Sequence, residues 1–308
     1  LFPRLIVAVR SECNRRQLIS VSMIVFLGVT GDIGSVVVPR LRLAGHEVIA
    51  PTSLELDLTN GDAVASFFGS LGQNYGLIFA AFIDRLRAET IAEFEMNQLM
   101  VNNVMNHSNP SWCVFLSSIA VYGESPPLPI NENSILVGEG FYARAKQVAE
   151  HKIADAAEGK FPCLTVRFPG VFGGRARRNQ SLDKILSTGL KTGEIALGGN
   201  GKVLRDWVSA AEVSEFLILN TANPRNAVVN FVRGESISID EYVAIALEVI
   251  PNISHRRANS GEESKTSDFV FDASRLGALF PEWRFPPRER DIQELARELK
   301  SLHKQPLR

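Results

Sequence analysis

Tyr142 and Lys146 stand four residues apart in Phe141-Tyr-Ala-Arg-Ala-Lys146, a spacing that stacks two side chains on one face of an α-helix. A free tyrosine ionises near pH 10, and a neighbouring ammonium favours the phenolate. Such a pair can exchange a proton with a carbonyl or hydroxyl oxygen. Alone it is also a common decoration of a solvated helix. Its meaning changes with Ser117-Ser118-Ile-Ala-Val-Tyr122-Gly123, which follows an apolar strand-like run. A hydroxyl at Ser118 would sit at a strand's carboxyl end and could donate to the same reacting oxygen, stabilising charge that develops there. Tyr122 reads equally well as packing.

These residues need a frame, and the chain supplies one. Runs rich in β-branched and aromatic residues at Met23–Leu27, Glu47–Ala50, Leu77–Ala80, Cys113–Leu116 and Leu164–Arg167 alternate with helical patterns at Ile33–Ala44, Gly61–Phe68, Ala88–Asn106 and Phe141–Glu158. That rhythm predicts an α/β protein with a Rossmann-like, doubly wound parallel sheet. Pro39 falls inside the first helix and is expected to kink or shorten it. After Gly173 the rhythm loosens, with a late strand at Val228–Val232. The expected organisation is a nucleotide-binding domain over 23–172 and a smaller mixed α/β, mainly substrate-binding portion over 173–308, with elements at about 206–232 returning to the first domain. Residues 1–22 read as an extension, non-native or disordered, with Met23 the natural start.

Gly28-Val-Thr-Gly31-Asp-Ile-Gly34 follows the first strand and opens the first helix. Gly28 suits the tight turn, Gly31 lets backbone approach a pyrophosphate, and Gly34 allows close packing of helix on strand. The helix N-terminus offers N–H groups and a positive dipole end to phosphates. Thr30, Asp32 and Ile33 complete the loop. A dinucleotide, NAD or NADP, is the expected cofactor, and the nicotinamide would exchange hydride while Tyr142 exchanges the proton. The second strand is followed by Pro51, Thr52 and Ser53, neither an acid selecting NAD nor a base welcoming NADP, so the preference stays open. Asp57 either accepts from the adenine amino group or ends a strand.

Charge is balanced, with 33 Lys and Arg against 34 Asp and Glu among 308 residues, which argues against a nucleic-acid or anionic-membrane partner. No apolar run reaches the ~20 residues of a membrane span. The three cysteines, Cys13, Cys113 and Cys163, are widely separated and point to a reducing, cytoplasmic setting. No metal site is predicted.

From Met23 to near the C-terminus the chain resembles the extended short-chain dehydrogenase/reductases, the NAD-dependent epimerase/dehydratases of nucleotide sugars. The family's T-G-x-x-G loop corresponds to Thr30–Gly34, its S-S-x-x-V-Y-G segment to Ser117–Gly123 and its Y-x-x-x-K to Tyr142–Lys146. The resemblance implies that Asp57 and Leu58 contact adenine, that Ala80 and Ala81 form the turn beside the nicotinamide half, and that Pro169 and Val171, in Arg167-Phe-Pro-Gly-Val-Phe-Gly173, close over the cofactor. Lys146 would hold the nicotinamide ribose. Gly199–Val208 resembles the family's R-D-aromatic-aliphatic element, whose arginine faces the sugar nucleotide's diphosphate. This makes Arg205 the leading substrate residue, since a guanidinium fork suits phosphate oxygens; Arg175, Arg177 and Arg178 are candidates for the same anionic pocket or for a solvated basic loop. Relatives often pair as homodimers through the helices here near Ala88–Asn106 and Phe141–Glu158.

Departures narrow the chemistry. The threonine, aspartate and glutamate of the 4,6-dehydratases are missing from Ser118–Val121, and Ile119 stands where the 3,5-epimerising GDP-fucose synthases carry cysteine. The expected activity is epimerisation or 4-ketoreduction of a nucleotide-linked hexose. The rivals are a reductase of a non-nucleotide ketone or alcohol and a catalytically silent dinucleotide sensor.

Overall fold

A computed structural model describes residues 23–72, 74–83, 90–174, 181–197, 201–257 and 267–303. The extension 1–22 and Arg175, Arg177 and Arg178 lie outside them.

The chain alternates β1 (Met23–Leu27), α1 (Gly34–Leu43), β2 (Glu47–Ile49), α2 (Gly61–Ser70), β3 (Tyr75–Phe79), α3 (Ile91–His107), β4 (Trp112–Ser118), α4 (Phe141–Ala157) and β5 (Cys163–Phe168). β6 (Gly170–Phe172), α5 (Ser181–Thr192), β7 (Glu194–Leu197), β8 (Leu204–Arg205), β9 (Trp207–Ser209), α6 (Ala210–Ala222) and β10 (Ala227–Asn230) follow, then β11 (Ile237–Ser238), α7 (Ile239–Val249), β12 (Ser254–Arg257), α8 (Ser274–Leu279) and α9 (Arg288–His303).

The main sheet has the order β10-β5-β4-β3-β1-β2, and its pairs are all parallel. This is the doubly wound α/β fold that the alternating pattern predicts. Its strands are apolar on both faces because both faces are covered. Ile24 and Phe26 pack with Val36, Val37 and Leu41 of α1 and Phe216 of α6. Val25 and Leu27 turn the other way, toward Val64 of α2, Val101 and Val104 of α3, and Ile153 of α4. β1 lies between β2 and β3, so the winding reverses there, and the carboxyl ends of β1 and β3 form the edge where such sheets bind ligands.

α1 runs through Pro39 and ends at Leu43; the ring lies on the exposed face, while packing of Val36, Val37, Val38 and Leu41 against the sheet holds the helix together, and tertiary burial outweighs the local cost. One local expectation needs correction. Asp57 ends no strand. It lies in the non-strand segment between β2 and α2, where its Oδ1 accepts from Thr59 N at 2.9 Å and Thr59 Oγ1 at 2.7 Å.

Beyond β6, three two-stranded pairs, β11 with β8, β12 with β7 and β6 with β9, surround a separate cluster built from α5, α7 and α9, including Leu186, Tyr242, Ile250, Ile292 and Leu299. α9 also reaches α1, where Glu294 accepts from Arg40 at 2.6 Å.

Candidate active site

The glycine loop is built by contact. Gly28 has φ +103°, and a Cβ there would stand 2.7 Å from Ala81 N and 2.8 Å from the Ala80 carbonyl carbon. A Cβ on Gly34 would lie 2.3 Å from Gly28 O. These two glycines are demanded by the chain itself, which brings Ala80 and Ala81 of the β3 exit against the β1 turn. Gly31 differs: among the described residues a Cβ there meets only Gly28 O, at 3.3 Å. Its open side and the first turn of α1, whose N-cap Ile33 makes no side-chain capping bond, fit a pyrophosphate seated on a helix N-terminus. Helices α3, α6 and α7, by contrast, carry complete capping boxes at Thr90/Glu93, Ser209/Glu212 and Ser238/Glu241. Thr30 is exposed and Asp32 half-buried; a Cβ on Gly174 would lie 2.5 Å from Asp32 Cβ, so the turn after β6 closes against the glycine loop.

Asp57 is exposed, whereas the Leu58 side chain is in the core and its carbonyl accepts from Asn103 Nδ2 at 2.9 Å. Pro169 and Val171 are buried, on the crossover from β5 to β6 that runs beside Trp207 and Val208 of β9.

Ser118 ends β4 and caps the short 3-10 turn Ile119–Tyr122, its Oγ accepting from Ala120 N at 3.2 Å. Tyr142 and Lys146 open α4. The Lys146 side chain bends back onto β4, Nζ donating to Leu116 O at 2.6 Å, two residues before Ser118. Gln147 Nε2 donates to Val121 O at 3.0 Å and Gly138 O at 3.2 Å, binding the 3-10 turn to α4. Lys146 is thereby brought to the carboxyl end of β4 that Ser118 closes, with Tyr142 one helical turn before it on α4, and β3 alone separates that strand from β1. Burial drives the Lys146 ammonium from 10.5 down to about 7, against the pull of Glu150.

Behind the site lies a polar network that local sequence patterns do not announce. Glu150 accepts from Ser117 Oγ at 2.5 Å and from Arg167 Nη2 at 2.6 Å. Arg167 Nη1 donates to Tyr122 Oη at 2.8 Å, and Tyr122 Oη donates to Asn230 Oδ1 at 2.7 Å. Tyr122 is fully buried and acts as a strut. Asn97, also buried, grips both sides of the Ile83 peptide: Oδ1 accepts from Ile83 N at 2.8 Å, and Nδ2 donates to Ile83 O at 3.2 Å. Their only trace in sequence is polarity inside otherwise apolar elements.

Arg205 lies on β8, away from these groups in the chain. Its Nη1 donates to Leu204 O and Ser267 O, each at 2.7 Å, and its guanidinium carbon lies 5.2 Å from the Phe269 ring centre. Ser267 in turn bonds Ser125, Oγ to Oγ at 2.6 Å, so the arginine is linked to the loop that leaves Ser118. The adjacent Asp206 is buried, accepts from Gly234 N at 3.0 Å, and is pushed by burial up to about 6; its place is structural.

Residues 24–232 match the model of the NAD dependent epimerase/dehydratase family. The chain belongs to this family. Among relatives of the epimerase/dehydratase chain, “Probable GDP-L-fucose synthase 1” of Oryza sativa subsp. japonica is 22% identical over 287 residues, 85% of this chain and 87% of the relative. A UDP-glucose 4-epimerase structure from Thermotoga maritima superposes with TM-score 0.77 at 18% identity, covering 92% of this chain and 100% of that one. A GDP-mannoheptose C4 reductase from Campylobacter jejuni, solved with NADP bound, gives 0.76 at 19%, covering 91% and 98%. Family membership makes the chain an NAD(P)-dependent enzyme, and the glycine loop is the part of it that fits the dinucleotide.

Proposed function

We propose that this protein exchanges hydride at a hexose carbon of a nucleoside-diphosphate sugar, at C4, working as a ketoreductase. The observation that carries the reading is that Lys146, one helical turn from Tyr142, is bonded to the end of β4 two residues before Ser118, while the turn after Ala80 and Ala81, which press on Gly28, reaches Tyr142 through Phe82.

A bound dinucleotide would rest its pyrophosphate on the Gly28–Gly34 loop and its nicotinamide half beside the Ala80–Ala81 turn, and would supply the hydride. Tyr142 gives its phenolic proton to the carbonyl oxygen in reduction and removes it from the alcohol in the reverse direction. Lys146 supports ionisation of Tyr142 while it is cationic. Ser118 Oγ accepts from Ala120 N, which leaves its own proton for the substrate oxygen and the charge that gathers there. Arg205, steadied by two carbonyls and Phe269, is suited to a diphosphate. Ketoreduction without 3,5-epimerisation is favoured because the turn after Ser118 reads Ile119-Ala-Val121 and brings no acid or base of its own.

Replacing Tyr142 with Phe tests the assignment. Turnover of a nucleoside-diphosphate 4-keto-hexose should fall by about 10²–10⁴-fold, with dinucleotide binding retained in a thermal-shift titration; undiminished turnover would remove Tyr142 from its role.

Two coarser features extend the proposal. Ile91, Met96 and Leu99 are exposed apolar residues on α3, which supports pairing with a second copy; a monomer in sedimentation at micromolar concentration would count against it. No helix among the described residues is long and apolar enough to cross a membrane, and the buried free thiols of Cys113 and Cys163 support a reducing, cytoplasmic setting, which cell fractionation would test.

A further inference from the structure

The loop that leaves β3 carries an aromatic ring into the middle of the site. Phe82 follows Ala80 and Ala81, and the next residue, Ile83, is the one gripped by Asn97. The Lys146 Nζ atom lies 3.8 Å from the Phe82 ring centre. The same ring meets that of Tyr142 edge to face, with centres 6.0 Å apart and planes at 86°. Phe115 of β4 adds a further face, 4.7 Å from Nζ, and its centre is 6.3 Å from that of Phe82. One side chain therefore touches both members of the Tyr–Lys pair.

Physical necessity gives this contact a purpose. Among the described residues, the Lys146 ammonium has a single hydrogen-bond acceptor, Leu116 O, although it carries three N–H donors. An aromatic face is electron-rich and attracts a cation, most strongly where water is excluded. The titratable and charged groups that face Lys146 are Tyr142 and Glu150 from its own helix, with Arg167 of β5 tied to Glu150. Glu150 is already engaged by Ser117 and Arg167, so the aromatic faces supply much of what water would otherwise provide.

We propose that Phe82 is a positioning residue of the active site: its face carries the Lys146 ammonium and its edge-to-face contact fixes the Tyr142 ring, with Asn97 anchoring the loop that delivers it. The inference rests on the reading of Tyr142 and Lys146 as the acid/base pair. Burial works against the charged lysine, and the ring opposes that tendency without admitting solvent.

The test is titration of Lys146 by nitrogen-15 NMR in the full-length, cofactor-free protein, in four forms: wild type, Phe82→Leu, Phe82→Trp, and a form with ring-trifluorinated phenylalanine at position 82. The fluorinated ring keeps its shape but loses negative charge from its face, so it reports on electrostatics even if Phe82→Leu disturbs packing. The midpoint should be highest with Trp and lower than wild type with the fluorinated ring, by up to about one pH unit. The alkaline limb of kcat should move in the same direction. An unchanged midpoint in the fluorinated form, with turnover still abolished by Tyr142→Phe, overturns the Phe82 proposal alone. Full turnover in Tyr142→Phe overturns the catalytic reading beneath it, whatever the midpoint does.

Discussion

Lys146 Nζ donates to the main-chain carbonyl of Leu116 at 2.6 Å, and the side chain is only 3% exposed. A lysine confined in this way is a functional group held at a thermodynamic cost. Its folded-state value is depressed from 10.5 to about 7, so the native state resists a proton that the unfolded chain accepts readily. The penalty is full below pH 7 and fades as pH rises toward the unfolded value. Lys146→Met, which suits the aromatic surroundings, should therefore lose turnover yet gain stability. We expect its melting temperature near pH 6 to exceed that of the wild type by about 5 °C, with the gain shrinking at alkaline pH; calorimetry across pH measures both.

The glycine loop separates folding from binding. Among the described residues a Cβ on Gly31 meets only Gly28 O, 3.3 Å away, so Gly31→Ala should lose less stability than Gly28→Ala and bind NAD and NADP more weakly, on the order of tenfold or more. Gly28→Ala faces a Cβ 2.7 Å from Ala81 N at φ +103° and should lose ~1–3 kcal/mol of stability. Denaturant unfolding beside calorimetric titration of the dinucleotide distinguishes the two; equal loss of stability in both variants would refute the distinction.

Glu212 at the start of α6 and Asp291 of α9 share Arg233, which pairs with Glu212 and lies 3.5 Å from Asp291 Oδ2. Burial, followed by the nearby Asp291 charge, raises the Glu212 carboxyl above its ordinary 4.5. The folded state thus holds a proton that the unfolded chain releases. The stability it confers is present in acid and is lost as pH climbs through the raised value. Wild-type unfolding midpoints in urea should fall from about pH 5 to about pH 7, below the range in which Lys146 sheds its penalty, and Glu212→Gln, which cannot ionise, should flatten that slope. An identical slope in the variant would show that this pair does not govern α9.

Much of this was written locally. The glycines after an apolar strand, Tyr142 and Lys146 one helical turn apart, and the alternation of strand and helix are short-range patterns, and backbone geometry converts them directly into a turn, a shared helix face and a doubly wound sheet. Pro39 stays inside α1, where the sheet-facing valines outweigh one missing hydrogen bond. Leu58 shows a finer limit: a strand-exit motif says which residues are near a ligand, but burial decides which of them offer a side chain.

What only the tertiary structure decided are contacts between residues far apart in sequence. Phe82 on Lys146, Asn97 on Ile83, Arg167 between Glu150 and Tyr122, and Arg233 between Glu212 and Asp291 have no spacing that predicts them. They arise when β3, β4 and β5 pair in register and helices from distant segments pack over the shared sheet. Sequence determined which residues could carry the chemistry, because that depends on side-chain type and local geometry. The surroundings that govern their charge and orientation had to wait for the fold, because desolvation and ring contacts exist only once separate elements close around them.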